Sequence, residues 1–203
     1  MNKVIFLITR SDQIGGAHIH VRDLCVSLKK DGYDPNVLIG GTGFFIDILR
    51  ESGITVYNSP HIKREIDFFS DIKSIISIIK LVRQLNPIFI SSHSAKAGYL
   101  IRLASFFIKP IPVIFTAHGW SFSEGIPIFK RTIYFIVEYL LGRLSNAIIT
   151  VCKSDYILAL KYNITNKNRL FCIHNGMPIK FYQVKNFKPI NTVKFIISNG
   201  NCG

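Results

Sequence analysis

A doubly wound α/β fold on a parallel sheet is what this sequence predicts, and three observations predict it. Short Val/Ile/Phe-rich runs alternate with helix-length amphipathic segments from the first residues onward. The runs lack polar alternation, as strands covered on both faces do. A strand–helix–strand rhythm of this kind implies right-handed crossovers between parallel neighbours.

The first strand is expected at 3–9, around Val4-Ile5-Phe6-Leu7-Ile8. The loop Asp12-Gln13-Ile14-Gly15-Gly16-Ala17 comes next and leads into a helix expected at 17–31. There Ala17, Val21, Leu24, Cys25 and Leu28 fall on one face of a 3.6-residue period, and Asp31-Gly32 closes the helix. Further strands are expected at 35–39, 54–57, 87–91, 112–116, 146–151 and 169–173. Helices are expected at 43–52, 70–85, 95–108, 127–144 and 154–162. Ser70-Asp71 opens the helix at 70–85, and Asn86-Pro87 ends it, because the residue before a proline is pushed out of helical geometry. The domain is expected to run over 1–178 and a polar linker over 179–191, with 192–203 the first strand of a truncated second domain.

Bulk composition narrows the class. A chain of 203 residues, 48% hydrophobic and 18% charged, is too apolar to be disordered. Its longest apolar stretches are interrupted by Lys80, Lys109 or Glu138, short of the ~18 residues that a spanning helix requires. Cys25, Cys152, Cys172 and Cys202 show no C-x-x-C spacing, which fits reduced thiols in a cytoplasmic protein. Charge is uneven: residues 1–101 hold 12 Lys+Arg against 9 Asp+Glu, whereas 102–203 hold 13 against 3. That asymmetry points to an anionic partner. Nucleic acid is not the expected one, since the basic residues are interleaved with core strands and no nucleic-acid module is present.

Candidate chemistry clusters at the carboxyl ends of strands, where parallel sheets place ligands. Gly15 and Gly16 let backbone approach a ligand closely, and the helix start behind them favours an anion. A dinucleotide fingerprint would need G-x-G-x-x-G at this point, and it is absent. His18 and His20 point about 200° apart on a helix, so one should face the cleft while the other is packed or solvated. After the fourth strand come His93, Ser94 and Lys96; Ser94 either caps the next helix or caps it and also touches ligand. Thr116-Ala117-His118-Gly119-Trp120 stands at the end of the fifth strand, with His118 either a ligand donor or a satisfied structural histidine. Asn175-Gly176 after the seventh strand is a turn signal on physical grounds alone. Arg102, Lys109, Lys130 and Arg131 lie among aromatic residues, as on amphipathic helices that rest on anionic bilayers or as ordinary solvated positions of core helices.

Taken in order, these segments resemble the amino-terminal half of family-4 glycosyltransferases, retaining enzymes of the GT-B fold. The resemblance rests on Gly15-Gly16-Ala17-His18-Ile19-His20-Val21, His93-Ser94-Ala95-Lys96-Ala97-Gly98 with Arg102-Leu103-Ala104, Thr116-Ala117-His118-Gly119-Trp120-Ser121-Phe122, and Thr150-Val151-Cys152-Lys153-Ser154-Asp155 followed by Ile173-His174-Asn175-Gly176-Met177. It implies a Rossmann-like domain that holds the acceptor, with Gly15 and Gly16 near the donor diphosphate and His118 at the donor sugar. The implied substrates are a nucleotide-sugar and a polyprenyl-diphosphate-linked glycan at the inner face of the cell membrane, with no metal and no cofactor. The family's Arg/Lys pair and Glu-x7-Glu element belong to its second domain, and neither is found in residues 1–203; Asn201 stands where an arginine would fall. Since losing even one charge-stabilising donor can cost ~10²–10³ in rate, these residues alone are expected to be inactive. The alternative is a stand-alone, non-catalytic domain that binds phosphorylated lipid or glycan.

Overall fold

Residues 1–123 and 127–176 are described by a computed structural model. Strands and helices alternate through them: β1 (Asn2–Ile8), α1 (Gly16–Lys30), β2 (Tyr33–Gly40), α2 (Phe45–Glu51), β3 (Thr55–Ser59), α3 (Phe68–Leu85), β4 (Phe89–Ser92), α4 (Ala95–Ala104), β5 (Val113–Ala117), α5 (Ile128–Gly142), β6 (Ala147–Thr150), α6 (Lys153–Lys161) and β7 (Leu170–Cys172). Every expected strand and helix within these residues is present. The expected linker at 179–191 and strand at 192–203 lie outside the described residues.

All seven strands pair in parallel in the order β3-β2-β1-β4-β5-β6-β7. The chain therefore builds outward from β1 in one direction and returns to build in the other. Between β1 and β4 the order reverses, which opens a crevice at the carboxyl ends of those two strands.

Residue parity explains the two-sided burial. Val4, Phe6 and Ile8 of β1 pack with Val21, Cys25 and Leu28 of α1 and with α2. Ile5 and Leu7, pointing the other way, pack with Ile78, Leu81 and Val82 of α3 and with Leu100 and Ile101 of α4. A third cluster gathers Phe115, Trp120, Phe122 and Ile148 against Ala159 and Ile164, with Phe135 and Tyr139 of α5 at its margin.

Among the small boundary differences from expectation, two have clear local reasons. Helix α3 starts at Phe68 rather than at Ser70, because the Asp67 carboxylate accepts the Ser70 N–H at 2.7 Å and caps the first turn. Its other end closes as expected, at Asn86 in left-handed geometry (φ 50°) before Pro87. Helix α4 ends at Ala104 and tightens into a 3₁₀ turn over Ser105–Phe107, short of the expected 108.

Candidate functional site

The crevice starts with the loop behind β1. Gly15 caps α1 in an extended conformation (φ −138°), which any residue could adopt, so backbone freedom is not the reason for glycine here. At Gly16 a Cβ would meet nothing within 4 Å, so the surface of the turn is open to an incoming group. The Gly16 and Ala17 N–H groups carry no hydrogen bond among the described residues, so the helix start presents free donors.

His18 braces this loop from behind. Its Nδ1 accepts the Gly15 N–H at 3.2 Å, so the Nε2–H donates to the Arg10 carbonyl at 3.0 Å. Burial lowers its pKa and keeps the ring neutral. Arg10, at the same edge, is held by Asp12 in a bidentate pair at 2.7 and 2.9 Å, and that pairing lowers the Asp12 carboxyl to about 2. The second glycine group, Gly40 to Gly43, serves packing: a Cβ on Gly40 would lie 1.9 Å from the Ile62 carbonyl oxygen, and one on Gly43 2.1 Å from that of Ser11.

His20 takes the cleft side, two residues on. It meets His93, from the residue after β4, and His118, from the residue after β5. Ring centroids lie 5.6 Å apart for His20–His93, 5.3 Å for His20–His118 and 5.6 Å for His93–His118. His93 is buried; its Nδ1 is 3.3 Å from His118 Nε2, and its Nε2 is 2.9 Å from the Ser91 hydroxyl. Burial, with a smaller contribution from the neighbouring rings, lowers the pKa of His118 to about 4 and that of His93 well below its usual value. Burial also lowers His20 to about 4. The cleft therefore offers neutral imidazoles, each able to donate or accept.

The chain beyond His118 shows how that ring is held. Gly119 has φ +112°, a conformation that favours glycine. Trp120 and Phe122, both buried, stack 5.2 Å apart, and the Trp120 Nε1–H donates to the Asp155 carbonyl at 2.9 Å. Ser94 caps α4 by accepting the Ala97 N–H and also lies 3.1 Å from the Thr9 hydroxyl, tying the end of β1 to the start of α4.

Several expected site residues stand elsewhere. Lys96 is buried in the seam between α3 and α4, where its ammonium donates to Asp71 at 2.5 Å and to the Glu65 carbonyl at 2.9 Å. It is scaffold here, not a cleft residue. Arg102, expected at a membrane rim, is fully buried: it pairs with Glu138 of α5 at 2.9 Å, donates to the Gly98 carbonyl, and lies over the Phe115 ring. A group with no exposed surface cannot touch a bilayer, which corrects that expectation. Asn175 and Gly176 are exposed after β7, three strands from β4 and so about 14 Å along the sheet. They share the edge but are not brought to the histidines.

The sequence leaves open which of His18 and His20 faces the cleft, and the structure gives that place to His20. A signal for it exists, since it lies three residues after Ala17, on the flank of the buried stripe that faces the sheet.

The geometry can be set beside known proteins. The model for "Glycosyltransferase Family 4" matches residues 14–181. The chain is 24% identical over 153 residues to an Escherichia coli UDP-Gal:alpha-D-GlcNAc-diphosphoundecaprenol alpha-1,3-galactosyltransferase, covering 75% of this chain and 39% of that one. It is 26% identical over 187 residues to the O-antigen biosynthesis glycosyltransferase WbnH of Escherichia coli, covering 88% and 50%. Among solved structures, Anabaena Alr3699/HepE in complex with UDP and glucose superposes with a TM-score of 0.71 at 17% identity, covering 98% of this chain and 50% of that one. A glycosyltransferase from Rickettsia africae gives a TM-score of 0.68 at 17% identity, covering 97% and 49%. At such identity the likeness is one of fold, that of a Rossmann-like half of a GT-B glycosyltransferase. The chain spans half the length or less of these curated relatives.

Proposed function

We propose, from the premise that this chain belongs to glycosyltransferase family 4, that it is the acceptor-side domain of a retaining enzyme of surface-polysaccharide synthesis. The enzyme moves a sugar from a nucleotide-sugar to a polyprenyl-diphosphate-linked glycan. One observation carries this reading: the open Gly15-Gly16 turn, His93 and His118 converge at the point where the strand order reverses. The names of two relatives, a diphosphoundecaprenol galactosyltransferase and an O-antigen glycosyltransferase, support the substrate classes.

In this reading the free N–H groups of Gly16 and Ala17 face the donor diphosphate, whose charge the start of α1 favours. His118, neutral and partly exposed, hydrogen-bonds a hydroxyl of the donor sugar. His93 sets its orientation from below, and Gly119 leaves room for the sugar. Neutralising the departing nucleoside diphosphate calls for cations, and among the described residues Arg10 is held by Asp12, Lys96 by Asp71 and Arg102 by Glu138, so these three are not free for it. The described residues alone are therefore expected to hold acceptor without transferring sugar.

The domain rests on the membrane by the edge that carries the cleft. In parallel β–α–β units the helices run antiparallel to the strands, so helix starts lie at the strands' carboxyl ends. Exposed Phe68 and Phe69 begin α3, and exposed Ile128 and Phe129 begin α5 beside Lys130 and Arg131. Aromatic residues with adjacent cations suit an anionic lipid surface. Lys109 lies beyond the end of α4, at the opposite edge, bonded to Asn86, and takes no part in this contact. No described helix is long and apolar enough to cross a membrane.

The test is amide chemical-shift mapping of the chain with a nucleotide-sugar donor, UDP-galactose, as the probe. Shifts at Gly15, Gly16, Ser94 and Gly119 are expected; no saturable shifts, or shifts confined to β3 and α2, would overturn the reading.

A further inference from the structure

His20, His93 and His118 come from three separate elements, and one ring nitrogen of each lies within 4.8 Å of the others. The His93 Nδ1 to His118 Nε2 separation is 3.3 Å. Two nitrogens on one tetrahedral zinc ion stand about 3.3 Å apart, given Zn–N distances of about 2.0–2.1 Å. One pair already has that spacing, and His20 needs to draw in by on the order of 1 Å to complete a trio.

We propose that His20, His93 and His118 form a binding site for one divalent cation of the zinc class, held through His93 Nδ1, His118 Nε2 and a ring nitrogen of His20. The donor set is all imidazole, which suits zinc, copper or nickel and excludes magnesium and calcium, cations that require oxygen ligands. His93 has the partner that a metal-ligating histidine needs on its far nitrogen: the Ser91 hydroxyl at 2.9 Å fixes the ring and leaves Nδ1 facing the other two. Phe6 backs the same ring at 5.5 Å between centroids. His118 is steadied through the buried Trp120 and Phe122. His20 touches both other rings without a hydrogen bond among the described residues, so its ring has no competing protein partner there.

Three protein nitrogens leave a further coordination position for water or a ligand oxygen. The site needs only the imidazoles and shares His118 with the donor-sugar contact proposed above. An ion bound here would occupy His118 and so exclude its hydrogen bond to a sugar.

The experiment uses the tag-free 203-residue chain carrying Cys152→Ser, Cys172→Ser and Cys202→Ser, so that thiols do not compete. It is titrated with Zn²⁺ by calorimetry and with Co²⁺ by visible absorption. One ion per chain is expected, with no thiolate charge-transfer band. Affinity should fall at least about 100-fold in His118→Gln and in His20→Asn, and by ~10–100-fold in Ser91→Ala. Both histidine variants change partly exposed side chains, and circular dichroism checks their folding. Failure of the parent chain to bind Zn²⁺ saturably at one per chain, or unchanged affinity in the folded His20→Asn and His118→Gln variants, would overturn the proposal.

Discussion

The cleft and the helix seam draw on the same ten residues, 93–102, and use polar groups in opposite ways. At the cleft His93 and Ser94 join other neutral groups on loops that remain open beside Gly16. In the seam Lys96 and Arg102 are sealed, each against one carboxylate: Asp71 of α3 at 2.5 Å and Glu138 of α5 at 2.9 Å. A segment that reads as one motif thus divides at the first turn of a helix. Residues before the turn face the crevice, and residues after it hold three helices together. Chemistry needs groups that can exchange partners, whereas a seam needs groups that cannot.

Breaking the seam should give the largest effects. Glu138→Ala leaves the Arg102 guanidinium buried and unpaired, and a loss of about 3–5 kcal/mol is expected in urea unfolding. Replacing the pair by Arg102→Met and Glu138→Leu together should recover most of that loss; no recovery would show that Arg102 does more than balance charge. Asp71→Ala should cost less, about 3 kcal/mol, because the Lys96 ammonium retains the Glu65 carbonyl. If Asp71→Ala proved as costly as Glu138→Ala, the ranking of the two pairs would be reversed.

At the cleft the expected stability changes are smaller and the functional ones larger. With chelator present, acidification should destabilise the fold. Folded-state pKa values of about 4 for His20 and His118 lie below the usual 6.5, so the unfolded chain binds protons first. The contribution is full above pH 6.5 and is lost as pH falls toward 4. Chemical denaturation at several pH values should show this slope, flattened in the His20→Asn, His118→Asn double variant. Gly16→Val fills open space and should shift stability by no more than about 1 kcal/mol, yet abolish binding of the nucleotide-sugar probe. Phe69→Ser with Phe129→Ser should leave stability nearly unchanged and weaken sedimentation with anionic vesicles several-fold; undiminished sedimentation would remove the cleft edge as the docking face.

How much of the molecule is legible in the chain depends on which information is local. Periodicity, terminating signals and strand-end position are written within a dozen residues, so the order of elements, the glycine loop and the strand-end positions of His93 and His118 can all be read there. Arg102 cannot. A cation among aromatic residues reads the same on a lipid-facing rim as over a buried Phe115, and the deciding partner, Glu138, is 36 residues away. Glu138 itself interrupts an apolar helix, and that break marks a buried charge as readily as a boundary. That one of His18 and His20 faces the cleft is local information, whereas the reach of His20 across to β4 and β5 is set by the packing of α1. Asp67 is masked as a cap because Ser70-Asp71, a stronger pattern, stands three residues on.

Trp120 is the single tryptophan of the chain, two residues beyond His118 and buried against Phe122. Its indole emission therefore arises from the very loop that carries His118. A ligand or ion that shifts that loop should change a signal to which no other tryptophan contributes, so occupancy of the crevice can be followed in real time without attaching a dye.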